Sequence, residues 1–279
     1  MKGFMNDTLF RTGAVMFLLL VCLFLAGEWL VPHGPFDMAA EPFQLPSGAH
    51  LLGTNDSGQD ILASLARAGW NSLLFGLVAS LTALLLGTLA GVIAAVKGGW
   101  VDIILMRTGD TLLMIPSIML LILVAAVLRT EPITIGIILG LISWPTIARG
   151  LRAQVLSLMQ KGYVRVSREM GGSLFHVART HLLPELYPIM VVGFSAKFRM
   201  AVFMEATLAF LGLVDPARKS LGMMIRFALK YYYLDSFWNW ILPVLLVLSL
   251  LIMSVTFIAL SVESGLDRNL RFRSWSSEL

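Results

Sequence analysis

One cysteine in 279 residues excludes a disulfide framework and a cysteine-based metal site; Cys22 stands alone inside an apolar run. Charge is scarce as well. Asp, Glu, Lys and Arg make up 14% of the chain, against about 25% in ordinary soluble domains. There are four histidines. His33 and His50 have no partner at metal-ligand spacing and read as surface residues, while His176 and His181 read as packing or bonding locally. A nucleotide-binding loop is missing too. The nearest lookalike, GLVDPARKS (212–220), has Ala217 where the second glycine of G-x-x-x-x-G-K-[ST] should stand. The oxygen-rich GTNDSGQD (53–60) has no acidic twelfth ligand, so it reads as a turn in which Ser57–Asp60 cap a segment Ile61–Ala68. No nucleophile–base pair suggests an intramembrane enzyme. The chain therefore reads as non-catalytic, with no cofactor and no metal of its own.

What the chain does have is apolar length. Hydrophobic residues make up 57%, more than a soluble core of this size can bury. Apolar runs recur at about 13–32, 71–96, 110–128, 133–149, 190–213 and 240–262. Each approaches the roughly 20 residues a bilayer requires. Long unalternating runs favour helices over barrel strands, so the expected fold is an all-α membrane protein with six transmembrane helices. The first run reads as an uncleaved helix rather than a removed signal. The basic residues orient the bundle. Arg149, Arg152, Lys161, Arg165, Arg168 and Arg179 crowd one connecting segment, opposed by Glu169, whereas 33–70 holds Arg67 alone. Lys and Arg gather on the cytoplasmic side, which makes the chain N-in/C-in. The net charge of +4 then reflects orientation in a lipid bilayer, not nucleic-acid binding. On the outside, Leu221–Leu234 reads as a helix lying near the membrane surface, beside an aromatic belt of Tyr231–Tyr233, Phe237, Trp238 and Trp240.

The cytoplasmic segment 150–189 is longer than a simple connector needs. Tyr163–Met170 is helix-compatible, and Gly171-Gly172 breaks it. Ser173 can cap a second helix over Leu174–Leu183, and Pro184 and Pro188 mark the return to the membrane. A basic, glycine-broken elbow of this kind suits docking of a cytoplasmic partner. Asp110 and Glu205 are the ionisable residues nearest membrane depth and are candidates for the pathway or for gating. A self-sufficient secondary transporter or channel would need them for coupling. GTLAG (87–91) and GIILG (136–140) pair glycines four apart, a weak sign of close helix packing.

Four segments, in order, carry a family resemblance. YVRVSREMGGSLFHVARTHLLPELYP (163–188) resembles the EAA loop of ABC-importer permeases, and HLLGTNDSGQDILASL (50–65) resembles the external signature of the C-type permease subunit of dipeptide, oligopeptide and nickel importers. GGWVDIILMRTGDTLLMIPSIML (98–120) and EATLAFLGL (205–213) resemble two further segments of that subunit. Gln59 stands where the external signature has an arginine. The resemblance implies a type I ABC importer permease fold in a bacterial inner membrane. It implies an N-terminal helix and external loop over 1–70, and a five-helix permease core over 71–279. It implies that Arg168, Glu169, Met170, Gly171, Gly172, Ser173 and Pro184 belong to an ATPase-docking elbow, with Gly171 allowing two backbones to approach. The implied partners are a homologous second permease, two ATPase subunits carrying ATP-Mg, and an external solute-binding protein. The implied cargo is a short peptide, nickel or a metal chelate.

Overall fold

The computed structural model describes residues 7–27, 34–38, 40–128, 131–215 and 218–275, with backbone alone for Leu128, Arg168, Leu174, Phe175 and 265–275. His33 lies outside the described residues. The helices are α1 (Thr8–Ala26), α2 (Ile61–Lys97), α3 (Gly99–Met114), α4 (Ser117–Leu128), α5 (Pro132–Met159), α6 (Gly162–Glu169), α7 (Leu174–Val177), α8 (Leu183–Leu211), α9 (Leu221–Ala228) and α10 (Ser236–Trp275). Five segments are long and apolar enough to cross a membrane, and α3 with α4 supplies a sixth, bent by 76°. The bend has a local cause. Ile115 precedes Pro116 and is forced to an extended conformation, φ −97° and ψ 125°. The expected helix over 110–128 is therefore two pieces, and the first begins eleven residues early, after Gly98 with φ +63°.

Other boundaries moved for similar reasons. Asp60 caps α2 by accepting from the Ala63 amide at 3.0 Å, so the expected cap and the expected second span form one continuous 37-residue helix. Pro184 and Pro188 do not end a helix. Pro184 falls in the first turn of α8, where its missing N–H costs nothing. The turn before it, Ala178–Leu182, widens to a π-helix, and the Leu183 amide reaches back to the Ala178 carbonyl. That wider turn makes room where the proline ring would crowd the carbonyl four residues earlier.

Both termini of the bundle lie on one side. Asp7 at the start of α1 accepts from Ser261 Oγ at 2.9 Å and Ser264 Oγ at 3.4 Å in the second half of α10. Leu20 and Phe24 of α1 are buried with Leu65 and Leu73 of α2 and Val244, Val247 and Leu251 of α10. A second core joins α2, α4, α5 and α8 through Phe75, Leu121, Leu139 and Leu208. A third, at the cytoplasmic end, joins Leu151, Val155 and Leu158 of α5 to Val164, Val177, Leu182 and Leu186. Small residues set the α2–α5 spacing. A Cβ on Gly91 would stand 2.5 Å from the Ala148 carbonyl, and one on Gly140 would stand 2.5 Å from Thr82 Cβ. The paired-glycine runs are thus packing sites.

Helix α9 departs from expectation. It ends at Ala228 rather than Leu234 and packs into the bundle: Leu221, Met223, Met224 and Ala228 are buried, and Gly222 packs against the Ala206 carbonyl of α8. A compact cap covers the outer end of the bundle. The aromatic belt divides accordingly. Tyr232, Tyr233 and Trp238 are exposed, while Trp240 is buried and stacks on Tyr231.

Candidate coupling elbow and transport groove

Helix α6 is short, polar and outside the spans. One side of it turns Val164 into the cytoplasmic core, fully buried. The other side presents Tyr163, Val166 and Met170 to solvent, Met170 at 83% exposure. Their spacing of three and four residues puts them on one helix face. An exposed apolar row on a polar helix marks an interaction surface. The end of α6 is a glycine cap: the Gly172 amide donates to the Ser167 carbonyl at 3.0 Å, and Gly171 takes φ +87°. The expected reason for Gly171 changes here. A Cβ at 171 would meet nothing within 4 Å, so within this chain the left-handed backbone requires the glycine, not close packing. Gly172 is the crowded one, with the Ser167 carbonyl 2.5 Å from its hypothetical Cβ. Ser173 caps the next turn, accepting from the His176 amide at 3.2 Å. Glu169 is exposed at the end of α6, and the Arg168 side chain lies outside those described. Pro184 is exposed at the start of α8. From Leu174 onward the elbow runs through the π-turn into α8 without a break. His181 packs near Tyr163, ring centroids 5.8 Å apart, and near His176 at 6.4 Å.

Above the elbow, α5, α8 and α10 border a groove of about 550 Å³. Gln154, Gly193, Ala196 and Lys197 line it, with Lys161, Glu185 and Glu263 among its charged residues. Sequence reading missed Lys197, because a single lysine in a span was passed over in favour of carboxylates.

Both carboxylates expected at the pathway are partnered. Asp110 pairs with Arg149 of α5 and lies 4.0 Å from Arg107. A second pair, Arg152 forking onto Asp102, ties the same two helices together. Glu205 is buried and accepts from Ser72 Oγ at 2.8 Å, and the Leu221 amide donates to that same hydroxyl at 3.3 Å. It braces α2, α8 and the start of α9.

The outer cap holds a second polar cluster. Lys219 Nζ donates to Gln59 Oε1 at 2.7 Å and to Ser64 Oγ at 2.9 Å. Burial lowers its pKa to about 8, with Asp56 pulling it back up. Tyr231 donates to Asp56 at 3.2 Å. His50 is not a surface residue. It is buried and its Nδ1 lies 2.9 Å from Asp60 Oδ2, which fixes the turn that starts α2.

Comparison with known proteins fits this architecture. Residues 87–271 match the family described as binding-protein-dependent transport system inner membrane component. The chain belongs to that family. It is 34% identical over 218 residues to a putative peptide permease protein of Brucella suis, covering 77% of this chain and 72% of that protein. It is 32% identical to the probable D,D-dipeptide transport system permease protein of Escherichia coli, covering 83% and 78%. It is 29% identical to the dipeptide transport system permease protein of Bacillus subtilis, covering 95% and 83%. Among solved structures, an inward-facing MetNI methionine ABC transporter chain aligns with TM-score 0.57 at 22% identity, covering 75% of this chain and 95% of that one. The permease is thus a multi-pass inner-membrane component of a transport system, with the type I importer fold.

Proposed function

We propose that this permease forms half of the translocation path for a short peptide, pairing with a homologous second permease. The named relatives are peptide and dipeptide systems, which favours peptide over nickel or a metal chelate. Hydrolysis of ATP-Mg belongs to two ATPase subunits on the cytoplasmic side, and an external solute-binding protein delivers cargo to the outer cap. The exposed row Tyr163, Val166 and Met170 beside the Gly171 cap carries the reading. It offers an ATPase groove an apolar helix face held rigidly by Val164 and Val177 beneath. Closure of the ATPase pair favours one global state of the bundle, and the elbow, continuous with α8, transmits that preference. Asp110 and Glu205 serve gating by holding α3 to α5 and α9 to α8, rather than by carrying protons.

The test uses the complete importer in proteoliposomes. Gly171→Val forces a β-branched residue into a left-handed conformation, costing about 1–2 kcal/mol, and Met170→Glu charges the apolar face without that strain. Both variants are expected to insert normally and to cut peptide uptake at least tenfold, with cargo-stimulated ATP hydrolysis no longer tracking uptake. Unchanged uptake and unchanged stimulation in both variants overturn the docking assignment.

A further inference from the structure

Among the described residues, Lys197 is a cation without an acid partner. It sits in the interior of α8, about 20 Å from the outer end of that helix at ~1.5 Å per residue. Its polar contact among the described residues is weak, a 4.0 Å approach of Nζ to Met200 Sδ. The other internal cations of the spans are engaged: Arg149 with Asp110, Arg152 with Asp102, and Arg199 with Thr256 Oγ1 at 3.1 Å. An ionisable group at membrane depth is costly and is kept for a use. Lys197 lines the groove of about 550 Å³ together with Gln154, Gly193 and Ala196, a volume within the range of small-molecule sites. The acids of that groove stand elsewhere. Glu185 begins α8, about 18 Å along the helix at ~1.5 Å per residue, and Glu263, on α10, is not within ion-pair distance of Lys197 among the described residues. At Gly193, one turn before Lys197, a Cβ would be in ordinary contact with Ile147 at 3.6 Å, so the groove wall there is uncrowded.

We propose that Lys197 binds the free α-carboxylate of the peptide as it crosses, making it the residue of this path that selects for an intact C-terminus. The proposal rests on the reading of the chain as half of a peptide path. A carboxylate is the group a desolvated ammonium would hold best, through a charge-assisted hydrogen bond. Gln154 across the groove offers amide donors and acceptors to the peptide unit.

Two measurements on the assembled permease–ATPase complex in nanodiscs, without the solute-binding protein, test this. The first removes the sole native thiol and installs one at the site, C22A with K197C. In the nucleotide-free complex a cationic, membrane-impermeant thiosulfonate is expected to label the new thiol, and C22A alone is expected to remain unlabelled. Failure to label overturns the path reading itself. The second measures equilibrium binding of dialanine and of dialanine amide. Lys197→Gln is expected to weaken dialanine binding about tenfold and leave the amide unchanged, with Lys197→Arg restoring most of the preference. Labelled K197C together with equal weakening of both probes, or no weakening of either, overturns the anchoring role and leaves the path standing. Loss of the second permease from purified Lys197→Gln complex also overturns it, because the lysine would then pair across the subunit interface.

Discussion

Replacing Gly91 by alanine adds one methyl group where the backbones of α2 and α5 come closely together. That methyl would sit 2.5 Å from the Ala148 carbonyl oxygen and 3.1 Å from Ala148 Cα. Both are backbone atoms of a helix, so no side chain can rotate aside. Ordinary contact begins near 3.4 Å, and the two helices would have to part by almost an ångström. Overpacking of this kind costs about 1–3 kcal/mol. Against it stands the gain of alanine over glycine in a helix interior, about 1 kcal/mol. The net is a destabilisation of up to roughly 2 kcal/mol. Gly150 of α5 is the internal control, because a Cβ there meets nothing within 4 Å. Gly150→Ala is expected to keep the helix gain and raise the thermal midpoint in detergent, while Gly91→Ala lowers it. Thermal unfolding of the two purified variants beside the parent reads the difference directly. If both alanines move the midpoint the same way by the same amount, close backbone approach at Gly91 is not what holds α2 to α5.

Two further perturbations reach the outer cap. Lys219 has its pKa pushed down to about 8 from 10.5, so between those values the unfolded chain binds more protons than the folded one. Stability therefore rises with pH across that window; relative to Lys219→Met, the parent is expected to gain thermal stability between pH 7.5 and 9.5 and to show a flat difference below about pH 7. A difference that falls with pH refutes the assignment. Glu205→Ala strands the Ser72 hydroxyl in a buried site, a loss of about 1–3 kcal/mol, whereas Glu205→Gln keeps an acceptor there; the midpoint of Gln should lie above that of Ala, and the reverse order would show that Glu205 does not brace α9.

Sequence pattern made the spans legible because hydropathy reports burial in lipid directly. It was poor at whatever depends on what faces what. The run 110–128 looked like one helix because apolar residues continue through Ile115-Pro116, and only the backbone consequence of that proline splits it. Leu221–Leu234 looked interfacial because its aromatics are dense, yet Gly222 lets the start of α9 sink against α8. His50 looked isolated because its partner, Asp60, comes ten residues later across a turn. The elbow was readable from Gly171-Gly172 and Ser173, which are local signals. The apolar row 163, 166 and 170 was present in the same letters but was hidden by the basic residues between. Lys197 could have been noticed as a lone cation in a span. That it lacks an acid is a fact of three dimensions.

Lys197 and Glu205 lie on one continuous stretch of helix that begins at α7, and the docking row on α6 joins it across Gly171-Gly172. The elbow leads through the Ala178–Leu182 π-turn into α8, Lys197 sits partway along, and Glu205 near the far end is bonded to Ser72 beneath the cap. A rod so connected cannot move at its cytoplasmic end without a response at the other two points, unless it bends. Its prolines, Pro184 and Pro188, lie in the first two turns, so bending is concentrated there and not between Lys197 and Glu205. In the proposed cycle the docking surface acts, through the glycine elbow and the proline-bearing first turns of α8, on an arm that carries Lys197 and the outer brace together. A transport cycle built on this arm changes the access of Lys197 and the seating of α9 in the same movement.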